Sequence, residues 1–145
     1  MRLLVDTNVF IDYFVDRAGS DESKDFFRSA LKYGDEIVVT SMSLRDIEYI
    51  THKITHNKEM SKNILIAIFE MVSKVIGISA DDSINAIYSN VSDYEDAIQV
   101  EAAKSNNVDM IITNDLKDYD KSSIHALTPK DYNDIRKRSH LAEDE

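Results

Sequence analysis

Apolar positions along the chain fall into two alternating patterns. Leu3-Leu4-Val5, Glu36-Ile-Val-Val-Thr40, Val75-Ile-Gly-Ile78 and Asp109-Met-Ile-Ile-Thr113 are short, continuous apolar runs. They lack the in-out alternation of a strand with one wet face, so they read as strands buried on both sides. His125-Ala-Leu127 is a last short strand candidate. Between these runs, apolar residues recur at three- and four-residue steps, as on one side of a helix. Val9, Phe10, Tyr13 and Phe14 mark the first such segment, and Phe26, Phe27, Ala30 and Leu31 the second, which Gly34 stops. Leu44, Ile47, Ile50 and Ile54 mark the third, and Ile64, Ile68, Met71 and Val72 the fourth, with a break inside His52–Lys58. Asp81 to Tyr88 predicts a helix with Ile84 and Ile87 inward. Asp93 opens a helix carrying Ala97, Ile98, Val100, Ala102 and Ala103, and Thr128-Pro129 starts the last one. Expected caps are Thr7 or Asn8, Ser20 or Asp21 after a loop over Arg17–Ser23, and Ser41 or Ser43.

Strands alternating with helices through short connections predict an α/β fold, a parallel sheet covered on both faces. There is no repeat, low-complexity tract or linker. The 145 residues suit a single domain, expected over residues 1–138, with a charged tail over 139–145 expected to fray.

Composition narrows the chemistry. Three glycines leave no GxxxxGK[ST] or GxGxxG phosphate loop. Zero cysteines remove disulfides, thiolate zinc sites and a cysteine nucleophile, and suit a reducing cytoplasm. No signal peptide or membrane-length apolar run is visible, so no membrane partner is expected. The net charge of -10 argues against a broad basic face for nucleic acid. It does not exclude nucleic acid, because cations held by clustered acids offset that charge and themselves attract phosphate.

Two strand candidates end alike, Leu3-Leu4-Val5 at Asp6 and Met110–Asn114 at Asp115. In a parallel sheet all carboxyl ends share one edge, the edge where open α/β sheets bind ligands. Asp46 and Asp96 stand near the starts of helices that begin at that same edge. Four carboxylates brought together oppose folding unless something neutralises them. Mg²⁺ or Mn²⁺, which prefer oxygen ligands, would do so, lowering the pKa of a bound water and stabilising charge on a phosphoryl oxygen. Each acid has a plainer reading too: Asp6, Asp46, Asp93 and Asp96 can serve helix starts, and Asp115 a turn.

Asp6-Thr7-Asn8, Ser43-Leu44-Arg45-Asp46, Asp93-Tyr94-Glu95-Asp96-Ala97-Ile98-Gln99 and Thr113-Asn114-Asp115-Leu116-Lys117-Asp118-Tyr119 together resemble the motifs of PIN-domain nucleases. The resemblance is closest to the small VapC-like toxin ribonucleases of toxin–antitoxin pairs, and it spans nearly the whole chain. It implies a three-layer α/β/α sandwich around a mainly parallel sheet of four to five short strands. It also implies Mg²⁺- or Mn²⁺-dependent cleavage of RNA, a small antitoxin protein as partner, and a homodimer. Asp6, Asp96 and Asp115 take the metal-binding positions. The second-motif acid, Glu in many relatives, falls at Asp46, with Glu48 as the competitor. The two point in well-separated directions on a helix, and Asp46 is preferred because Ile47 and Ile50 then pack inward beside it. Asp93 and Asp118 are candidates for outer roles or a second ion, and Asn8 and Thr113 for hydrogen bonds to the carboxylates or to a metal-bound water.

Arg45, Lys53 and Lys58 are candidate RNA contacts, each competing with a plain solvated surface. Three other readings stay open: a PIN-like RNA maturation or decay nuclease that is not a toxin, an inactive binding module of the same fold, and a phosphoaspartate receiver. The last lacks a suitably placed strand-end lysine.

Overall fold

The computed structural model describes residues 1–144. Five strands, β1 (Arg2–Val5), β2 (Glu36–Thr40), β3 (Lys74–Ile76), β4 (Met110–Ile112) and β5 (Ala126–Leu127), form one parallel sheet in the order β3-β2-β1-β4-β5. The helices among the described residues are α1 (Thr7–Val15), α2 (Ser20–Tyr33), α3 (Ser41–Thr55), α4 (Lys58–Met71), α5 (Ala80–Ile87), α6 (Tyr94–Ser105) and α7 (Pro129–Glu143), with a 3-10 turn at Leu116–Tyr119.

The uninterrupted apolar runs work because both faces of the sheet are covered. Leu3, Val5, Ile37, Val39 and Ile112 face a layer to which α1, α2, α3, α4 and α7 contribute Phe10, Phe26, Ile47, Ile68 and Tyr132. Leu4, Val38, Ile76 and Ile111 face the opposite layer, with Ala86 of α5 and Ala97, Val100 and Ala103 of α6. Small residues on α6 let that helix approach the sheet closely. The result is a three-layer α/β/α sandwich.

The helix starts depart from the expected caps. Asp6 itself caps α1, its Oδ1 accepting from Thr7 N–H at 2.8 Å. Thr40 caps α3 by accepting from Ser43 N–H at 3.0 Å, in place of Ser41 or Ser43. The start of α2 has no side-chain cap; Gly19 stands there at φ 91°, and Ser20 and Asp21 lie inside the helix. The 52–58 break is confirmed: His56 ends α3 in the left-handed region and Asn57 caps α4.

One expectation needs correction. Ile84 and Ile87 are 53% and 63% exposed, and Asp82 and Ala86 are the buried residues of α5. A reciprocal cap between Ser79 and Asp82, with a bond from Ser105 to Asp82, turns the acid inward and the two isoleucines out. At the other end, α7 runs through Glu143. Glu145 lies outside the described residues.

The strand order places the site. β1 is central; the chain builds outward through β2 and β3, then returns to β1's other side with β4. The carboxyl ends of β1 and β4 therefore flank the point where the direction of winding reverses, where a crevice opens in sheets of this kind.

Candidate metal centre at the sheet switch point

Asp6 follows β1 and Thr113-Asn114-Asp115 follows β4, so the crevice is acidic by construction. Asp6 N–H still bonds Ile112 O at 2.9 Å, and the Thr113 hydroxyl donates to Asp6 Oδ2 at 2.9 Å. With Thr7 N–H on Oδ1, both oxygens of Asp6 are oriented. The same Thr113 oxygen accepts from Asp115 N–H at 3.0 Å, fixing the turn that carries the second strand-end acid. Asp96 sits in the first turn of α6, which Asp93 caps by accepting from Asp96 N–H at 3.0 Å. Tyr119, buried at the end of the 3-10 turn, donates its hydroxyl to Asp96 Oδ1 at 3.3 Å.

These elements enclose a cavity of about 350 Å³ whose lining includes Asp6, Asp46, Glu95, Asp96, Asp115 and Asp118 and no Lys, Arg or His. Asn8, Thr7, Tyr49, Ile50 and Gln99 complete the wall. A hydroxyl chain runs beneath it: Thr7 and Ser43 share a bond at 2.8 Å, and Gln99 Nε2 donates to Ser43 Oγ at 2.9 Å. A larger cavity, about 580 Å³, lies beside Tyr13, Phe27, Leu31 and Met71. Its two acids, Asp35 and Glu70, share the wall with Lys24 and Arg28, so size is a poor guide to the chemistry here.

The unbalanced charge shows in the acidities. Burial raises the Asp6 pKa, against hydrogen bonds from Thr113, Thr7 and Tyr119 that lower it, and the Asp115 charge adds to the rise. Asp96 is pushed up to about 7, first by burial and then by the charges of Asp93, Asp6 and Asp118. Glu95 also rises to about 7, chiefly because its protonated form hydrogen-bonds Asp46, then through burial and the charges of Asp46, Asp93 and Asp96. Burial, with the charges of Asp6 and Asp96, keeps the Tyr119 phenol protonated.

The residues expected from sequence separate into groups. Asp6, Asn8, Asp46, Asp96, Asp115 and Asp118 line the cavity, and Thr113 lies behind Asp6. Glu48 is not in the lining. Asp93 acts as helix cap and as a charge on Asp96. Arg45, Lys53 and Lys58 are exposed and outside the cavity wall. Sequence reasoning passed over Glu95, Tyr119, Ser43 and Gln99. Glu95 adjoins Asp96 in the first helical turn, which is the one local signal that could have drawn attention to it.

In kind, the donors fit an oxygen-preferring divalent cation: many carboxylates, no cationic partner, and a buried Gln99 Oε1 without a hydrogen-bond partner. Among the described residues, no three acids or histidines already stand at the spacing of metal ligands. Asp6 and Asp96 are engaged instead with Thr7, Thr113 and Tyr119.

The protein is thus a parallel three-layer α/β/α sandwich with a carboxylate-rich crevice at its switch point. The family model for the PIN domain matches residues 2–117, and the chain belongs to the PIN domain family. Its fold is that of VapC-type toxins. A VapBC2 structure from Rickettsia felis, bound to a DNA fragment from its promoter, matches at 16% identity and a TM-score of 0.71, covering 88% of this chain and 98% of that one. A toxin–antitoxin complex from Klebsiella pneumoniae matches at 22% identity and 0.64, over 88% and 97%. VapC20 of Mycobacterium tuberculosis, a sarcin-ricin loop cleaving toxin, matches at 12% identity and 0.59, over 75% and 86%. No curated protein sequence matches. Among the described residues no helix is long and apolar enough to cross a membrane.

Proposed function

We propose that the protein is a metal-dependent endoribonuclease, the toxin of a toxin–antitoxin pair, acting in the cytoplasm. The observation that carries this reading is the cavity's six carboxylates without a single cationic side chain. Such a site is costly to the empty protein and suits a bound divalent cation. Asp6, Asp46, Asp96 and Asp115 are the proposed ligands of Mg²⁺ or Mn²⁺. When bound, the ion lowers the pKa of water and withdraws charge from a phosphoryl oxygen.

The chain's own contributions are positional. Thr113 and the Thr7 N–H fix both oxygens of Asp6, and Tyr119 aims Asp96. Glu95 lines the same cavity beside Asp46 and Asp96. The toxin assignment is supported by the family and by the solved structures of this fold, several of which are complexes with antitoxins. A small antitoxin protein and a homodimer are the partners this reading adds.

Purified protein is expected to cleave single-stranded RNA with Mg²⁺ or Mn²⁺ and to stop with excess chelator. Asp6→Asn is expected to lose activity by at least about a hundredfold, since several kcal/mol of charge stabilisation go with the ion. Cleavage that survives both chelator and Asp6→Asn would overturn the mechanism. Growth arrest on expression, relieved by a small neighbouring gene product, tests the toxin assignment separately.

A further inference from the structure

The first helix carries a second polar constellation that the acidic site does not use. Asp12 lies on α1 one turn beyond Asn8, and its residue is 4% exposed. Arg17 folds back along the helix, and its Nε–H donates to Asp12 Oδ1. From β4's end, Asn114 Nδ2 donates to Asp12 Oδ2 at 2.7 Å. Arg17's NH2 group also donates to Asn8 Oδ1 at 3.2 Å, and Asn8 is part of the acidic cavity's wall. The loop is built to permit this: Gly19 has φ 91°, and a Cβ there would lie 3.0 Å from Asp12 Oδ2.

A half-exposed ion pair is weak evidence of stabilisation in itself, because burying the Asp12 charge is costly and the exposed arginine's attraction is screened by solvent. This one fixes a guanidinium beside Asn8, next to a cavity whose wall holds no cation. A guanidinium has five N–H donors in a planar fork. Two of them are spent on Asp12 and Asn8, and the side chain remains 41% exposed. The remaining donors are left unspent beside Asn8, whose side chain belongs to the cavity wall, and the planar fork of a guanidinium suits a phosphate.

We propose that Arg17, held by Asp12 and Asn8, binds a backbone phosphate of the RNA next to the scissile bond and sets the strand's position over the acidic cavity. This rests on the ribonuclease reading above. Asp12, Asn114 and Gly19 are positioning residues for the arginine. Arg17 too lies outside the wall, as Arg45, Lys53 and Lys58 do, but its bond to Asn8 ties it to a wall residue.

The test uses a fluorescein-labelled single-stranded RNA, read by anisotropy in Mg²⁺ at several salt concentrations. Asp6→Asn serves as the uncleaving parent. Adding Arg17→Ala is expected to weaken binding about tenfold and to make the salt dependence shallower by about 0.7, the loss of one phosphate contact on a single strand. Arg17→Gln, which keeps a donor for Asp12 but no charge, is expected to do the same and carries the test if the alanine variant melts early. Arg138→Ala, an equal charge change on exposed α7, should shift binding less than about twofold. With an active Asp6, Arg17→Gln should raise KM for RNA about tenfold and leave kcat within about threefold, as expected for lost positioning contacts. Unchanged affinity and salt slope in a parent that binds RNA, with wild type still cutting, would overturn the role of Arg17 and leave the nuclease reading intact. A parent that does not bind RNA and a wild type that does not cut would overturn both.

Discussion

The sheet carries a buried acid cluster at each edge, and the two are handled in opposite ways. At the amino edge, Asp35 receives the Met1 ammonium at 2.9 Å, the Arg136 guanidinium and the Tyr132 hydroxyl. Burial pushes its pKa up, but those bonds outweigh burial, and Asp35 ends below its ordinary value. At the carboxyl edge, Asp6 and Asp96 are also partly buried, yet their neighbours are more carboxylates, and both end above their ordinary values. One cluster is complete within the chain and fastens α7 to the sheet. The other has no cationic side chain in its wall, and the proposed divalent cation would supply the counter-charge. The same residue type on the same scaffold therefore separates structure from chemistry by the partners supplied.

The largest effect that would break this comparison is Asp35→Ala. It strands Arg136 and Tyr132 beside a vacancy, and breaking such a pair typically costs about 3–5 kcal/mol. Urea unfolding should show that loss, with RNA cleavage by the folded fraction unchanged. If Asp35→Ala instead proves neutral, the amino-edge cluster is not a fastening.

A smaller effect should appear in the pH dependence of metal-free stability, with opposite signs at the two edges. Asp35's depressed pKa makes its contribution present above about pH 4, the ordinary carboxylate value, and lost as pH falls through the folded pKa. Asp96 rises from 3.8 to about 7, so the folded state retains a proton that the unfolded chain has released. Stability from that side then declines as pH climbs from about 4 toward about 7. Thermal melts in chelator should thus be highest in mild acid. Added Mg²⁺ should raise the melting temperature more at pH 8 than at pH 5.5, because metal competes with those protons. A metal response that is the same at both pH values would contradict the assignment.

The smallest predicted effect is the most local. Glu95→Gln keeps a donor for Asp46 while removing a charge from the cluster. In chelator at pH 8 it should raise the melting temperature by about 1–3 °C, and at pH 5 it should do almost nothing. An equal shift at both pH values would mean that Glu95 acts by packing, not charge.

Much of this arrangement can be read along the chain. Runs such as Leu3-Leu4-Val5 and Met110-Ile111-Ile112 announce two-sided burial. A parallel sheet then brings Asp6 and Asp115 to one edge without further information. What resists reading is set by contacts between distant residues. Asn114 meets Asp12 across 102 positions and Asp35 meets Arg136 across 101, and no local pattern encodes either pairing. Ile84 and Ile87 misled because helical spacing reports a stripe, not which side the protein covers. The Ser79–Asp82 cap and the Ser105 bond settled that side. Thr40 was overlooked as a cap because it also ends a strand, and β2 passes into α3 with no residue between.

Tyr119 gives the carboxyl edge an optical consequence. The chain has no tryptophan, so its intrinsic emission comes from seven tyrosines. Tyr119 is buried with its hydroxyl on Asp96 and within reach of Asp6. An excited phenol is a far stronger acid than a resting one and hands its proton to a bonded carboxylate, which darkens it. Whatever draws Asp96 and Asp6 toward a cation should loosen that bond and brighten this one ring. The difference between wild type and Tyr119→Phe would then report occupancy of the crevice without any added dye.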